Sequence, residues 1–489
     1  MWLFYAYITG VIFVIVNKKA SRYIVIVSAE IRIYLYKKKH RWKWRQIMMN
    51  SIGQEIQDKQ KKYVLQSWNA QKDLRPIPIE KAEGIYLYDY DGNRYTDMSS
   101  LHVNANLGHG NREINEAIKN KLDQYAFISE SFADKDRGDL AEMIISLMPG
   151  MGKVFFTNAG ADANENAIKI ARLYTGREKI FSRYRSYHGS SFGAGNATGE
   201  QRRFPVEPGI PGFIKFRDPF MYDDNMPFET EEEYTDWQLR RLEEQILFEN
   251  PDNIAGIIME TVTGTNGIII PPKGYLPGVR KLCDKYGIMM ICDEVMAGWC
   301  RTGEMFAYQN FDVVPDIVTF AKGVTCGYVQ LGGVAVSEKI AEYFDDHVLL
   351  CGLTYNGHPL ACAAGKACVQ YYLDHDICGH VKQVGKVLGE ILEDLKRRHR
   401  SVGDVRYIGL FSAIELVKDR HTREPFVPYG KDPEGRMKKL VGMLHDMGFI
   451  TFSHENMIMI TPPLIITEEQ IREEMQKMDV VLDTADQMI

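Results

Sequence analysis

Three short apolar runs near the middle of the chain each end on a charged side chain. The runs are rich in branched aliphatic residues, alternate with stretches of helical periodicity, and end at Glu260, Asp293 and Lys322. Runs of this length and composition are typical of buried parallel strands. In an open α/β sheet, a ligand lies beyond the carboxyl ends of such strands. The sequence therefore predicts a mostly parallel sheet that brings two carboxylates and a lysine to one edge.

Length and charge narrow the class of protein. The 489 residues exceed what one compact core usually holds, so two domains are expected. The net charge is −6, but residues 1–49 contain ten Lys or Arg and one acid, which leaves 49 basic and 64 acidic residues in the remainder. An acidic main body argues against nucleic acid as the principal partner. The eight cysteines lack C-x-x-C and zinc-type spacings, which favours reduced thiols in the cytoplasm and predicts no metal site.

The first 49 residues differ from the rest of the chain. Trp2 to Val16 form an apolar run of about fifteen residues, shorter than the roughly 20 that span a bilayer. Basic residues follow this run, whereas a secretory signal carries them before it. Three interpretations stay open: translation starts at Met48 or Met49, the segment is a disordered or peripheral basic tail, or it is a membrane anchor. We favour the later start and expect no membrane association.

The remaining residues predict two domains. Residues 111–370 alternate between helix-like and strand-like segments, the pattern of a large α/β domain that binds the ligand. Residues 50–110 contain a hairpin signal at Asp91-Gly92-Asn93. We expect them to join residues 371–489 in a smaller α/β domain.

Two of the strand-end residues suit one kind of chemistry. A lysine desolvated at the position of Lys322 has a lowered pKa and can form a Schiff base. A carboxylate such as Asp293 can keep a pyridinium nitrogen protonated, which makes the ring an electron sink. The small residues Gly160 and Ala161 begin a predicted helix, where backbone N–H groups can bind a phosphate. Each feature alone also has an ordinary interpretation: a surface lysine, a helix N-cap, a tight turn.

Five sequence motifs together resemble those of the class III (ω-type) aminotransferases, which have the type I pyridoxal phosphate fold. The likeness covers about residues 55 to 485, and the motifs match in order and spacing. They are Asn158-Ala-Gly-Ala-Asp-Ala-Asn-Glu, Tyr187-His-Gly, Asp293-Glu-Val-Met-Ala-Gly-Trp-Cys-Arg-Thr-Gly303, Ala321-Lys-Gly and Thr354-Tyr-Asn-Gly-His-Pro359. The resemblance implies a pyridoxal 5'-phosphate enzyme whose large domain, residues 111–370, binds the cofactor.

The resemblance also implies roles for the residues around the cofactor ring. Lys322 would be the Schiff-base lysine and the proton shuttle, and Asp293 would pair with the pyridinium nitrogen. Tyr187 would stack on one face of the ring and Val295 would pack on the other.

The cofactor phosphate would be bound by a second group of residues. Gly160 and Ala161 would offer backbone N–H groups, and Thr354 would reach the phosphate from the neighbouring subunit. That contact implies a homodimer with shared active sites; assembly into a tetramer stays open. Glu260 and His188 would position the residues that contact the ring.

Departures from the family pattern bear on the substrate. Arg406 matches an arginine that grips a substrate carboxylate in this family. In ornithine- and GABA-type relatives a glutamate masks this arginine, and the corresponding position here is Thr265. A glutamine that is common in the same enzymes is replaced here by Met296. Both departures resemble the branch that uses pyruvate as acceptor, in which an aromatic residue at the position of Trp68 lines the donor pocket.

The resemblance therefore implies a transaminase. It would move an amino group from β-alanine, taurine, another ω-amino acid or a primary amine to pyruvate by a ping-pong mechanism. Other class III enzymes act as aminomutases, decarboxylases, racemases or phospho-lyases, and these stay alternatives because a fold does not fix a reaction. A non-catalytic sensor or interaction protein is a more distant one.

Overall fold

The computed structural model describes residues 4–8, 11–18, 21–27, 51–224 and 228–489. Near the start, an antiparallel sheet has the strand order β1 (Phe4–Ile8), β2 (Val11–Lys18), β3 (Ser21–Val27). The rest of residues 1–49 lies outside the described residues, so the expectations of a later start, a basic tail or an anchor stay predictions. Among the described residues, no helix is both long enough and apolar enough to cross a membrane.

The chain divides into two compact units: residues 1–81 with 88–94, and residues 82–87 with 95–489. In the first unit, Gln57 Nε2 donates a hydrogen bond to the carbonyl oxygen of Pro76 over 2.7 Å. The predicted domain boundaries near residues 110 and 370 stay predictions. From residue 51 to residue 97 the elements are α1 (Ser51–Tyr63), β4 (Ile79–Glu83), β5 (Tyr86–Asp89) and β6 (Arg94–Asp97).

Helices and strands alternate through most of the second unit. Its first elements are α2 (Ser100–Val103), α3 (Arg112–Gln124), α4 (Lys135–Ser146), β7 (Met151–Thr157), α5 (Gly160–Thr175), β8 (Lys179–Arg183), α6 (Phe192–Ala197), β9 (Phe213–Phe216), α7 (Glu231–Phe248), β10 (Ile254–Glu260), α8 (Tyr275–Tyr286), β11 (Met289–Asp293), β12 (Ile317–Phe320), β13 (Gly332–Ser337), α9 (Glu338–Asp346) and α10 (Pro359–Asp374). The alternation is the one that the sequence predicts.

A seven-stranded sheet forms the centre of this unit, in the order β7-β13-β12-β11-β10-β8-β9. Strand β13 is antiparallel to both of its neighbours, and the other strands run parallel to one another. Every residue of β10, β11 and β12 is buried, which explains why their sequences are continuous apolar runs. The prediction of a mostly parallel α/β sheet is confirmed.

Helices cover both faces of the sheet. Along β10, Ile257 and Met259 belong to one apolar cluster and Ile258 to another, because successive strand residues point to opposite faces. Helix α5 packs on the second face through Ala163 and Ala167, whose small side chains recur every four residues and lie on one side of the helix.

The last elements of the chain are α11 (Ile377–Arg398), β14 (Val402–Ile408), β15 (Phe411–Asp419), β16 (Glu424–Pro425), α12 (Arg436–Asp446), β17 (Phe449–Ile450), β18 (Ser453–His454), β19 (Met457–Ile460) and α13 (Glu468–Asp486). They include a second, antiparallel sheet in the order β14-β15-β19-β18, with β16 paired to β15. Strand β17 pairs in parallel with β6.

A buried ion pair joins α3 to the start of α4. Lys121 Nζ lies 2.6 Å from Asp134 Oδ2 and 3.1 Å from Tyr125 Oη, and the lysine side chain is only 3% exposed. Asp134 also caps α4 by accepting a hydrogen bond from the amide of Arg137. Burial of Asp134 acts to raise the pKa of its carboxyl group. The hydrogen bonds from Lys121, Tyr125 and the amide of Arg137 have the larger combined effect, so the pKa is lowered.

We expect Lys121→Met to lower the free energy of unfolding by about 3 kcal/mol, because it leaves the buried Asp134 carboxylate without its cation. Urea denaturation followed by circular dichroism measures this loss. The matched control is Lys119→Met in the same helix, which breaks only the exposed pair with Glu116 and should change stability by less than about 0.5 kcal/mol. Equal losses in the two variants would contradict the role given to the buried pair.

Candidate active site

Three polar side chains stand side by side at the carboxyl edge of the central sheet. The pairing register places Glu260 of β10 opposite Asp293 of β11, and Asp293 opposite Thr319 of β12. Lys322 follows Thr319 by three residues, in a short 3-10 turn. The strand-end residues that the sequence singles out are therefore brought to one place.

Hydrogen bonds from three sides fix the carboxylate of Asp293. Oδ2 accepts a bond from Asn164 Nδ2 over 2.7 Å and lies 2.7 Å from His188 Nδ1, while Oδ1 accepts a bond from the amide of Val295 over 3.0 Å. Asn164 is itself oriented, because its Oδ1 accepts from Thr319 Oγ1 over 2.7 Å. A carboxylate has about four lone-pair directions. One direction thus remains for a further donor.

Glu260 holds the backbone that carries Tyr187. Its Oε1 accepts a hydrogen bond from the amide of Tyr187 over 3.0 Å, and its Oε2 accepts one from the amide of Gly264 over 2.7 Å. Burial raises the pKa of this carboxyl, and the neighbouring Asp293 raises it further. Glu260 thus fixes the loop that bears the aromatic ring.

The start of α5 lies against Val295, which is expected on one face of the ring, and against Gly189, two residues after Tyr187. A Cβ atom at Gly160 would come within 2.7 Å of Val295 Cγ1, and one at Gly189 would come within 2.6 Å of the Cβ of Ala161. Both close approaches require glycine. The N-cap residue Ala159 has no side chain to cap the helix, so the first amide groups of α5 are available to a ligand such as a phosphate.

Lys322 has an unusual environment for a lysine. Its backbone lies in the left-handed region, with a φ of 48°, and its side chain is partly buried. Burial lowers the pKa of the amine to about 8, although Asp293 and Glu260 act to raise it. A lysine with this pKa provides a substantial neutral fraction near physiological pH, as attack on a carbonyl requires.

Sequence reasoning did not assign three polar residues near this site. Asn164, which orients Asp293, lies within the motif that begins at Asn158, but the motif alone does not indicate this role. Arg202 places its guanidinium 3.9 Å from the centre of the Tyr187 ring and forms an ion pair with the buried Glu200. His102 lies in a left-handed turn. Burial lowers the pKa of its imidazole, and the positive charges of Lys322 and Arg202 lower it further. For Arg202 and His102 the sequence offers no local signal.

Arg406 is engaged by protein groups. Its Nη1 lies 2.9 Å from Asp404 Oδ2 and 2.7 Å from Glu415 Oε2, and its Nε donates to the carbonyl oxygen of Gly267 over 2.6 Å. The guanidinium also lies over the ring of Phe220, and the side chain is 8% exposed. A substrate carboxylate would have to replace these carboxylates, so the assigned role stays a prediction.

Two further predicted residues are exposed to solvent. Trp68 belongs to the first compact unit and is 63% exposed, with a φ of 61°. Thr354 is exposed in the chain between α9 and α10. Because its expected contact is with a neighbouring subunit, that contact stays a prediction.

Comparisons with known proteins identify the family of the chain. A family model described as aminotransferase class III matches residues 68–482. The solved structure of a taurine:2-oxoglutarate aminotransferase from Bifidobacterium kashiwanohense, in complex with PLP and glutamate, is 53% identical with a TM-score of 0.87, over 90% of this chain and 99% of that one. A taurine–pyruvate aminotransferase from Bilophila wadsworthia is 34% identical over 442 residues, 87% of this chain and 96% of that protein.

A putrescine–pyruvate aminotransferase from Pseudomonas aeruginosa is 33% identical over 421 residues, 81% of this chain and 88% of that protein. The family match spans most of the second unit, including the whole central sheet and the residues at its carboxyl edge. The chain belongs to the class III aminotransferases and is a pyridoxal phosphate-dependent transaminase.

Proposed function

We propose that this chain moves the amino group of taurine, or of a similar acidic ω-amino acid, to a 2-oxo acid in two half-reactions. The observation that carries the proposal is the position of Lys322 beside a fixed Asp293 carboxylate at the edge of the sheet. A lysine of lowered pKa beside such a carboxylate suits proton transfer at a carbon atom.

The residues of the site fit pyridoxal phosphate. Asp293 retains one lone-pair direction for the ring N–H, and Tyr187 and Val295 would contact the ring faces. Gly160 and Ala161 would bind the phosphate through the uncapped amides of α5. When bound, the cofactor withdraws electrons from the carbon that carries the amino group.

Lys322 would carry the proton in both half-reactions. Its neutral Nζ would take a proton from the amine-bearing carbon of the donor and later return one to the carbonyl carbon of the acceptor. The charges of Asp293 and Glu260 keep its pKa from falling further, which lets the same nitrogen act as base and as acid.

An acidic donor is supported by the cationic side chain of Arg202 near Tyr187. Arg202 lies against that ring, and its charge acts on both Lys322 and His102. A guanidinium suits the oxygens of a sulfonate or carboxylate because its N–H groups form a planar fork. Two similar proteins are named for activity on taurine, which supports the same donor.

The acceptor has two candidates. The 53% identical relative is named for 2-oxoglutarate, whereas the relatives at 33% and 34% identity are named for pyruvate. The departures at Thr265 and Met296 favour pyruvate. We give more weight to the higher overall sequence identity with the first relative than to these two single positions. We therefore propose 2-oxoglutarate first and pyruvate second.

We also propose a homodimer, in which Thr354 would complete the phosphate site of the neighbouring subunit. A cytoplasmic location is supported by the eight cysteines, all of which are free thiols.

We expect the purified holoenzyme to form glutamate from taurine and 2-oxoglutarate faster than alanine from taurine and pyruvate. Each product is quantified by mass spectrometry after initial-rate reactions. Lys322→Ala should abolish both activities, while Lys285→Ala, which alters an exposed lysine paired with Glu243, should leave them unchanged.

Two further results decide the acceptor and the donor. Faster alanine formation would reverse our order of acceptors, and the absence of both products with taurine would refute the donor.

Arg202→Gln should raise the KM for taurine but not for a primary amine that lacks an acidic group. Its matched control is Arg203→Gln, which alters the adjacent arginine that pairs with Glu207.

The cofactor-free protein should bind pyridoxal phosphate at a rate that depends on pH. Below pH 8 the amine of Lys322 is mostly protonated, so the rate should rise about tenfold per pH unit and level off above about pH 8. Stopped-flow absorbance measures it. Asp293→Asn removes a charge that raises this pKa and should move the midpoint to lower pH. A midpoint near the ordinary lysine value of about 10.4 would contradict the lowered pKa.

Asn164→Ala should lower kcat by about 10- to 100-fold, because a hydrogen bond to a charged group contributes about 1.5–3 kcal/mol. The substitution frees Asp293 Oδ2 from one donor and removes the link to Thr319. Asn166→Ala is the control, since Asn166 lies in the same helix and donates to the backbone of Asp162 instead. Unchanged kcat in Asn164→Ala would show that His188 and Val295 suffice to orient the carboxylate.

A further inference from the structure

Two cysteines from distant parts of the chain lie in direct contact. The sulfur atoms of Cys300 and Cys378 are 2.8 Å apart. Cys300 is buried in the segment that follows Asp293, whereas Cys378 lies in the first turn of α11 and is partly buried. A disulfide requires about 2.05 Å between sulfurs, so closing the bond needs a shift of less than about 1 Å.

The first turns of α11 hold this pair in place. Lys382 Nζ lies 2.5 Å from Glu304 Oε1, and its methylenes cover Gly303, where an added Cβ would be 2.9 Å from Lys382 Cγ. The side chain of Val381 packs against Gly409. The contacts of Lys382, one turn after Cys378, therefore keep the helix against the residues that follow Cys300.

The other cysteines differ in their access to solvent. Cys351 and Cys378 are the two that are partly exposed, and the other six are buried. Cys326 also has a close polar neighbour, at 3.2 Å from Tyr372 Oη, but both groups are buried. Cys378 thus combines access from solvent with a second sulfur within reach.

We propose that Cys300 and Cys378 form an oxidisable pair that hydrogen peroxide closes to a disulfide. The Cys378 thiolate attacks one oxygen of hydrogen peroxide, and the O–O bond breaks. The leaving hydroxide takes up the proton that the thiol has lost and becomes the first water, and a sulfenic acid forms on Cys378. The Cys300 thiol then attacks that sulfur, the S–S bond forms, the S–O bond breaks, and a second water leaves. The two thiols lose two electrons and two protons, and the peroxide becomes two waters. A small thiol reverses the reaction by exchange.

The cross-link would restrain the segment next to the catalytic lysine. Trp299 precedes Cys300, and an added Cβ at Gly323 would lie 2.7 Å from the Cβ of Trp299. Closing a long loop between residues 300 and 378 restricts the unfolded chain, so oxidation should raise the Tm by a few degrees.

The test treats the full-length holoenzyme with hydrogen peroxide, blocks free thiols, and maps the unreduced tryptic peptides by mass spectrometry. The relevant peptides span residues 286–301 and 367–382, and each contains a second cysteine, Cys292 or Cys368. We expect these peptides to be cross-linked in the wild type and in the controls Cys292→Ala and Cys368→Ala. The cross-link should disappear in Cys300→Ala and Cys378→Ala and after dithiothreitol.

The rise in Tm should follow the same pattern across the variants. A cross-link that persists in Cys378→Ala would overturn the proposal, as would oxidation that stops at a sulfinic acid on Cys378. Failure of peroxide to react with either thiol would overturn it as well. Since Cys378 is partly exposed, its alanine variant decides the matter even if Cys300→Ala does not fold.

Discussion

The carboxylate of Asp293 is the group on which the geometry of the site depends. It ends β11 between Glu260 and Thr319, so the pairing of three strands fixes its height in the sheet. Asn164 and His188, from two other elements, then fix the direction of its oxygens. A buried carboxylate would be costly without such partners. The same hydrogen bonds therefore stabilise the charge and aim it at a ligand.

The fold and the centre of the site could be predicted because local sequence carries them. Continuous apolar runs predict buried parallel strands, and the residues that end those runs necessarily meet at one edge. Glu260, Asp293 and Lys322 follow from this argument alone. The antiparallel orientation of β13 could not be predicted, because an apolar run is compatible with either strand direction.

Contacts between side chains that are distant in the sequence were harder to predict from it. Arg406 matches a family position, yet its pairing with Asp404 and Glu415 depends on the register of β14 and β15. Arg202 reaches Tyr187 from a short 3-10 segment fifteen residues later, a distance with no periodic signature. The meeting of Cys300 with Cys378 likewise depends on how α11 packs, which local sequence does not specify.

The place of β13 in the sheet also sets the order in which the chain can fold. Strand β7 ends near residue 157, but its partner β13 begins at residue 332, about 175 residues later. At translation rates of about 5–20 residues per second, roughly 9–35 s pass between the synthesis of β7 and the start of β13. During this interval the hydrogen-bonding edge of β7 lacks its native strand. The nascent chain is thus most open to mispairing before the sheet itself is complete.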